Sequence, residues 1–128
     1  MGSKLQSYLV THLAVSNKVR KAAILDRKGG IWAISEGFQL SYEEQTAAID
    51  AVQDIYQMAV SGLTLNGQEY GTAHVSDDIL HMVKHGGGAI LVKTEKSLVV
   101  AVYESPVQQV EASPIVEGMA DYLLSIGY

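Results

Sequence analysis

His81 and His85 stand four residues apart, a spacing that on a helix would set two imidazoles side by side as metal ligands. Their segment reads as strand and turn, and no third ligand stands near, so the pair reads as surface histidine. Gly86-Gly87-Gly88 suggests a phosphate loop, but the Lys-Ser/Thr pair and following helix that complete such a loop are missing. A hairpin turn is the better reading. Serine, aspartate and histidine are plentiful, yet no nucleophile-elbow spacing or paired-carboxylate motif arranges them for catalysis. The expectation is a protein that is not an enzyme and uses no metal or cofactor.

The aromatic residues say more. Tyr8 lies on a first helix, Trp32 in a second strand, and Tyr122 and Tyr128 in and after a last helix, three separate parts of the chain. If the first and last helices lie together over an early hairpin, these rings meet in one shallow groove. Such a groove suits a polyproline II ligand, which is already extended and stacks its rings on flat aromatic faces while Trp N–H and Tyr O–H donate to its carbonyls.

The elements that would position them follow from pattern. Leu5, Tyr8, Leu9, His12 and Leu13 keep helical spacing as far as Ser16-Asn17. Arg20 to Leu25 and Ile31 to Ser35 read as strands around the turn Asp26-Arg27-Lys28-Gly29-Gly30. Ser41 is an N-cap with acids behind it, and Ala48, Ile49, Val52, Ile55 and Tyr56 continue a second helical stripe with a break near Asp54. Short β-rich segments then follow: Leu63 to Leu65, Glu69 to Val75, Ile79 to Lys84, Ala89 to Lys93 and Ser97 to Tyr103. The turns between them are short, which predicts antiparallel neighbours. Ser113 as N-cap with Pro114 at the first helical position predicts a last helix carrying Ile115, Met119, Tyr122, Leu123 and Ile126. The fold class is α+β: one domain over 1–128, an antiparallel sheet of about seven strands with both terminal helices on one face.

At 128 residues and 48% apolar the chain suits one core. Met1-Gly2-Ser3 reads as a remnant of expression, and no signal peptide or membrane span is evident, so a soluble intracellular protein is expected. With no cysteine there is no disulfide or thiol nucleophile. The net charge of −5 argues against nucleic acid. Lys18, Arg20, Lys21, Arg27 and Lys28 crowd one stretch, whereas residues 36–83 hold eight acids and no Lys or Arg. The basic cluster reads either as solvated turns or as a patch for anionic lipid.

Four segments resemble profilins, in order and at matching spacing: Ala22-Ala23-Ile24 with Ile31-Trp32-Ala33, Ser61 through Tyr70, Lys93 through Val100, and Ala120-Asp121-Tyr122-Leu123 through Gly127-Tyr128. The resemblance covers nearly the whole chain and implies the same sheet and helices. It implies an actin-monomer-binding regulator of polymerisation, monomeric, cytoplasmic and cytoskeletal. It also implies proline-rich partners such as formin-type elongation factors. Proline-ligand positions of the family fall on Leu5, Tyr8, Trp32, Tyr122, Leu123 and Tyr128. Profilins usually have tryptophan where this chain has Leu5, which implies weaker or more selective proline binding. The family's actin face maps to Val60, Glu69, Gly71, Thr72, His74, Lys84 and Gly88 on the later strands, and to Val107, Gln108, Ser113 and Glu117 near the last helix. Basic positions of familiar profilins have become Glu69, His74 and Asp78, which implies a matched, differently charged actin. Phosphoinositide binding would rest on Lys18, Arg20, Lys21, Arg27 and Lys28. An alternative reading is a roadblock or longin-type scaffold for a small GTPase, which would typically dimerise.

Overall fold

Val99, Ala101 and Tyr103 bury against one side of the last strand's sheet, and Leu98, Val100 and Val102 against the other. A strand apolar on both faces needs cover on both, and helices supply it. The computed structural model describes residues 2–28, 30–53 and 62–128. The strands are β1 (Lys21–Asp26), β2 (Ile31–Ile34), β3 (Leu63–Leu65), β4 (Gln68–Val75), β5 (Ile79–Lys84), β6 (Gly87–Lys93) and β7 (Ser97–Glu104). They form one seven-stranded sheet in the order β2-β1-β7-β6-β5-β4-β3, with every neighbouring pair antiparallel. The β1–β7 pairing, Ala23 opposite Val100, joins the early hairpin to the late strands.

Helices α1 (Gly2–Ser16) and α3 (Gln109–Ser125) cover one face. Leu5 and Leu9 from α1 and Val116, Met119 and Leu123 from α3 share a core with Ile24, Ile90 and Val99. Helix α2 (Tyr42–Gln53) covers the other, with Ala48, Ile49 and Val52 against Leu25, Leu91 and Val100. Leu9 and Leu123 are fully buried, each contributing about 2 kcal/mol by removal from water. This is the α+β arrangement expected from the pattern. Among the described residues no helix is long and apolar enough to cross a membrane.

The start of α2 is as the pattern predicts. The Glu44 N–H donates to Ser41 Oγ at 3.1 Å, and Glu44 Oε1 accepts the Ser41 N–H at 3.2 Å, the reciprocal arrangement of a capping box. The same carboxylate accepts the N–H groups of Asn66 and Gly67, each at 3.0 Å. It therefore fixes α2 to the β3–β4 turn, where both residues have positive φ. The expected continuation through Ile55 and Tyr56, with a break at Asp54, lies outside the described residues.

Two expectations are corrected. Helix α3 begins at Gln109 with Gln108 as N-cap, so Pro114 lies inside it and Ser113 is not the cap. Glu111 Oε1 accepts the Gln108 N–H at 3.0 Å, which completes the helix start upstream, while the Ser113 hydroxyl is engaged by Glu117 four residues on. Of Gly86-Gly87-Gly88, only Gly86 belongs to the turn. Gly87 and Gly88 are the first residues of β6, opposite Glu104 and Tyr103. A Cβ on Gly88 would strike the Tyr103 ring and hydroxyl, so this glycine makes room for a buried aromatic side chain.

Candidate binding faces

The aromatic groove forms where α1, α3 and β2 meet. Gln6 fixes α1 to the hairpin with both ends of its amide: Nε2 donates to the Ile34 carbonyl at 2.7 Å and Oε1 accepts the Ile34 N–H at 2.9 Å. That places Tyr8 beside α3, where its ring stacks on Tyr122 with centroids 4.1 Å apart and planes at 15°. The His12 ring lies tilted against Tyr8, with centroids 3.9 Å apart and planes at 38°. Trp32 reaches the groove through a bulge. Ile24 pairs with Ala33 and Leu25 with Ile31, leaving Trp32 as the extra residue, and a bulge re-aims a side chain. Its indole meets Tyr128 edge-on, centroids 5.1 Å apart at 67°.

Leu5 and Leu123 are buried, 3% and 0% exposed. They are the floor beneath the rings and not part of the exposed surface. Lys4, Tyr122, Ile126 and Tyr128 surround a hollow over Leu5. Burial raises the Tyr8 phenol pKa, with Tyr122 adding to the effect, so the hydroxyl stays protonated and able to donate. The groove thus offers flat apolar faces with polar ends, the chemistry that suits prolyl rings and their carbonyls.

The second face centres on β4, β5 and the start of α3. Opposite one another on adjacent strands, His74 and His81 have ring centroids 5.8 Å apart. The Gln109 amide donates to His81 Nδ1 at 2.6 Å, and His81 Nε2 lies 3.4 Å from Ser113 Oγ. The Ser113 hydroxyl donates to Glu117 Oε2 at 2.5 Å. Burial lowers the His81 pKa, as does the neighbouring His74, while Glu117 acts in the opposite direction. With its proton given to the carboxylate, the Ser113 hydroxyl is left to act toward His81 Nε2 as an acceptor.

The remaining expected positions divide. Glu69, Gly71 and His74 are exposed on β4, Gln108 is exposed at the α3 cap, and Lys84, Val107 and Glu117 are half-buried. Gly88 and Ser113 are buried. Thr72 pairs with Met82, whose side chain belongs to the α2-side core, and its hydroxyl is buried without a partner. Val60 lies outside the described residues. Sequence reasoning missed Gln109, and it paired His81 with His85 when the ring beside it is His74. Among the described residues no group of three His, Cys, Asp or Glu could hold a metal ion.

The basic cluster is not one free patch. Lys18 pairs with Glu111 at 2.8 Å and Arg20 approaches Glu104 at 3.8 Å. Arg27 donates to the carbonyls of Thr94 and Glu95 at 3.1 and 3.2 Å.

Comparison with known proteins agrees with this geometry over the whole chain. The sequence pattern of the family Profilin matches residues 3–128. The profilin of Drosophila melanogaster is 34% identical over 123 residues, covering 96% of this chain and 98% of the relative. The crystallised profilin of Schizosaccharomyces pombe superimposes with a TM-score of 0.89 at 35% identity, covering 96% of this chain and 98% of its own. LokiProfilin1, solved in complex with rabbit actin, shares the fold at 12% identity with a TM-score of 0.76, covering 98% of each chain. The chain belongs to the profilin family.

Proposed function

We propose that this protein binds monomeric actin and regulates its polymerisation, and that it takes proline-rich ligands in the groove of Tyr8, Trp32, Tyr122 and Tyr128. Family membership along the full chain carries the actin reading, and a structural neighbour was solved with actin. Profilins act by stoichiometric binding and not by catalysis, so the protein is not an enzyme. The role is cytoplasmic and cytoskeletal, performed by one domain as a monomer. Membership over residues 3–128 also removes the ground for a roadblock or longin-type GTPase scaffold.

The actin face is the surface of β4, β5 and the start of α3. Glu69, Gly71, His74 and Gln108 are its exposed contacts, and Lys84, Val107 and Glu117 stand at its margin. Gly88 and Ser113 act from beneath. Glu69 and His74 call for an actin whose facing surface is charged to match, since complementary charge mainly sets on-rate and specificity. A face that covers an actin monomer blocks spontaneous nucleation, while proline-rich elongation factors in the groove deliver the complex to growing filaments. An anionic lipid headgroup would have to draw Lys18 and Arg20 from exposed pairs with Glu111 and Glu104, and Arg27 from the Thr94 and Glu95 carbonyls, to join Lys21 and Lys28. The test is pyrene-actin assembly with actin from the same organism. Excess protein lengthens the lag before spontaneous assembly; an unchanged lag refutes the actin reading.

A further inference from the structure

We infer that the buried hydroxyl pair Thr94–Ser97, in the turn between β6 and β7, positions Tyr128 against Trp32 and so sets the affinity of the aromatic groove. The inference rests on the proline-binding reading above, and Thr94 is a positioning residue that does not itself touch the ligand.

Thr94 is 5% exposed and Ser97 fully buried. Thr94 Oγ1 accepts the Ser97 N–H at 3.0 Å and is in direct hydrogen-bond contact with the Ser97 hydroxyl. Those bonds would close an ordinary turn. Another reaches further: Thr94 Oγ1 donates to the backbone oxygen of Tyr128 at 2.8 Å. The carbonyl of Ser97, at 3.1 Å, competes for the same single proton. A Ser97 hydroxyl that donates to Thr94 supplies what Thr94 needs as acceptor and leaves its own proton for Tyr128.

Tyr128 is thereby held at two points. The Lys96 N–H donates to the same Tyr128 oxygen at 2.6 Å, and the Tyr128 N–H donates to the Leu123 carbonyl at 2.8 Å. With its backbone fixed to α3 on one side and to the turn on the other, Tyr128 sets its ring beside the indole 5.1 Å away. The turn is itself tied to the hairpin that carries Trp32. The Arg27 guanidinium donates to the Thr94 and Glu95 carbonyls, and the Arg27 N–H donates to the Lys96 carbonyl at 3.2 Å. Both members of the Trp32–Tyr128 pair therefore hang on one hydrogen-bond network, which reaches Tyr128 through the Lys96 N–H and, as its one side-chain link, the Thr94 hydroxyl.

Trp32 is the sole tryptophan, so its emission reports this pair directly. Decaproline binding by calorimetry and Trp32 emission are compared in the unaltered protein, Thr94→Val and Thr94→Ser. Valine keeps the volume and removes the hydroxyl; it shifts the emission maximum and weakens decaproline binding roughly tenfold, the effect of one lost buried hydrogen bond. Serine restores both. If Thr94→Val unfolds by circular dichroism, Ser97→Ala takes its place and moves both readouts in the same direction. A folded Thr94→Val or Ser97→Ala with unchanged emission and affinity overturns the inference while leaving the groove intact. An unaltered protein that fails to bind decaproline overturns the proline reading instead, and emission alone then decides whether Thr94 holds Tyr128.

Discussion

Replacing Trp32 by alanine is the sharpest perturbation of the groove. The indole is half-buried on the α1–α3 side of the sheet and meets Tyr128 edge-on at 5.1 Å. Truncating a central aromatic anchor costs binding about 2 kcal/mol. That figure already includes the loosening of Tyr128, which loses the surface beside its ring, and it weakens proline-peptide binding roughly thirtyfold. The fold survives: a fully buried aromatic truncated to alanine costs about 3–5 kcal/mol, a half-exposed one less, against a stability of about 5–15 kcal/mol for a domain. Calorimetry with decaproline measures the loss, and circular dichroism checks folding. Trp32→Phe retains a smaller flat face and loses the N–H donor, so its affinity falls between the two. A folded Trp32→Ala that binds within about threefold of the unaltered protein would refute the assignment of Trp32 to the site, since any role as anchor exceeds that margin.

Glu44→Ala removes the acceptor of three backbone N–H groups, those of Ser41, Asn66 and Gly67. It should lower stability by about 2 kcal/mol, read as a reduced urea midpoint at unchanged slope, and Glu44→Gln should recover much of it. His81 predicts a pH dependence. Its folded pKa lies below the ordinary 6.5 because of burial and His74, so the unfolded chain takes up its proton first. The stability this gives is fully present above pH 6.5 and is lost as pH falls from there through the lower folded pKa. His81→Gln flattens that segment of the urea-stability profile, and a proton NMR titration of His81 with its midpoint at or above 6.5 would contradict it.

How much of this was legible in the sequence depended on whether a residue's role is decided by near or distant neighbours. Strands such as Ile79–Lys84 and Ser97–Glu104 were readable because turn-forming residues bound them and their apolar content matches burial. Ser41 and Glu44 were readable as a helix start because capping is a local exchange of bonds. Local signals also misled. Ser113-Pro114 has the form of a helix start, but Ala112 and Val116 are buried in the core, and that packing favours a helix already under way from Gln109. Gly87 and Gly88 looked like turn residues because a glycine accommodating Tyr103 and one taking a positive φ are the same letter. The convergence of the aromatic rings followed from helix placement alone, yet the aim of Trp32 depends on a bulge against Ile24 and Leu25. His74 faces His81 only because an irregularity in β4 sets the register between them. Thr94 is the clearest case: its bonds to Ser97 span three residues and invite the reading of a simple turn, while the bond to Tyr128 spans 34. A single hydroxyl serving both cannot be assigned from composition or spacing, because only the closed sheet, with β7 paired to β1, brings the turn, the hairpin of Trp32 and the end of α3 to one place.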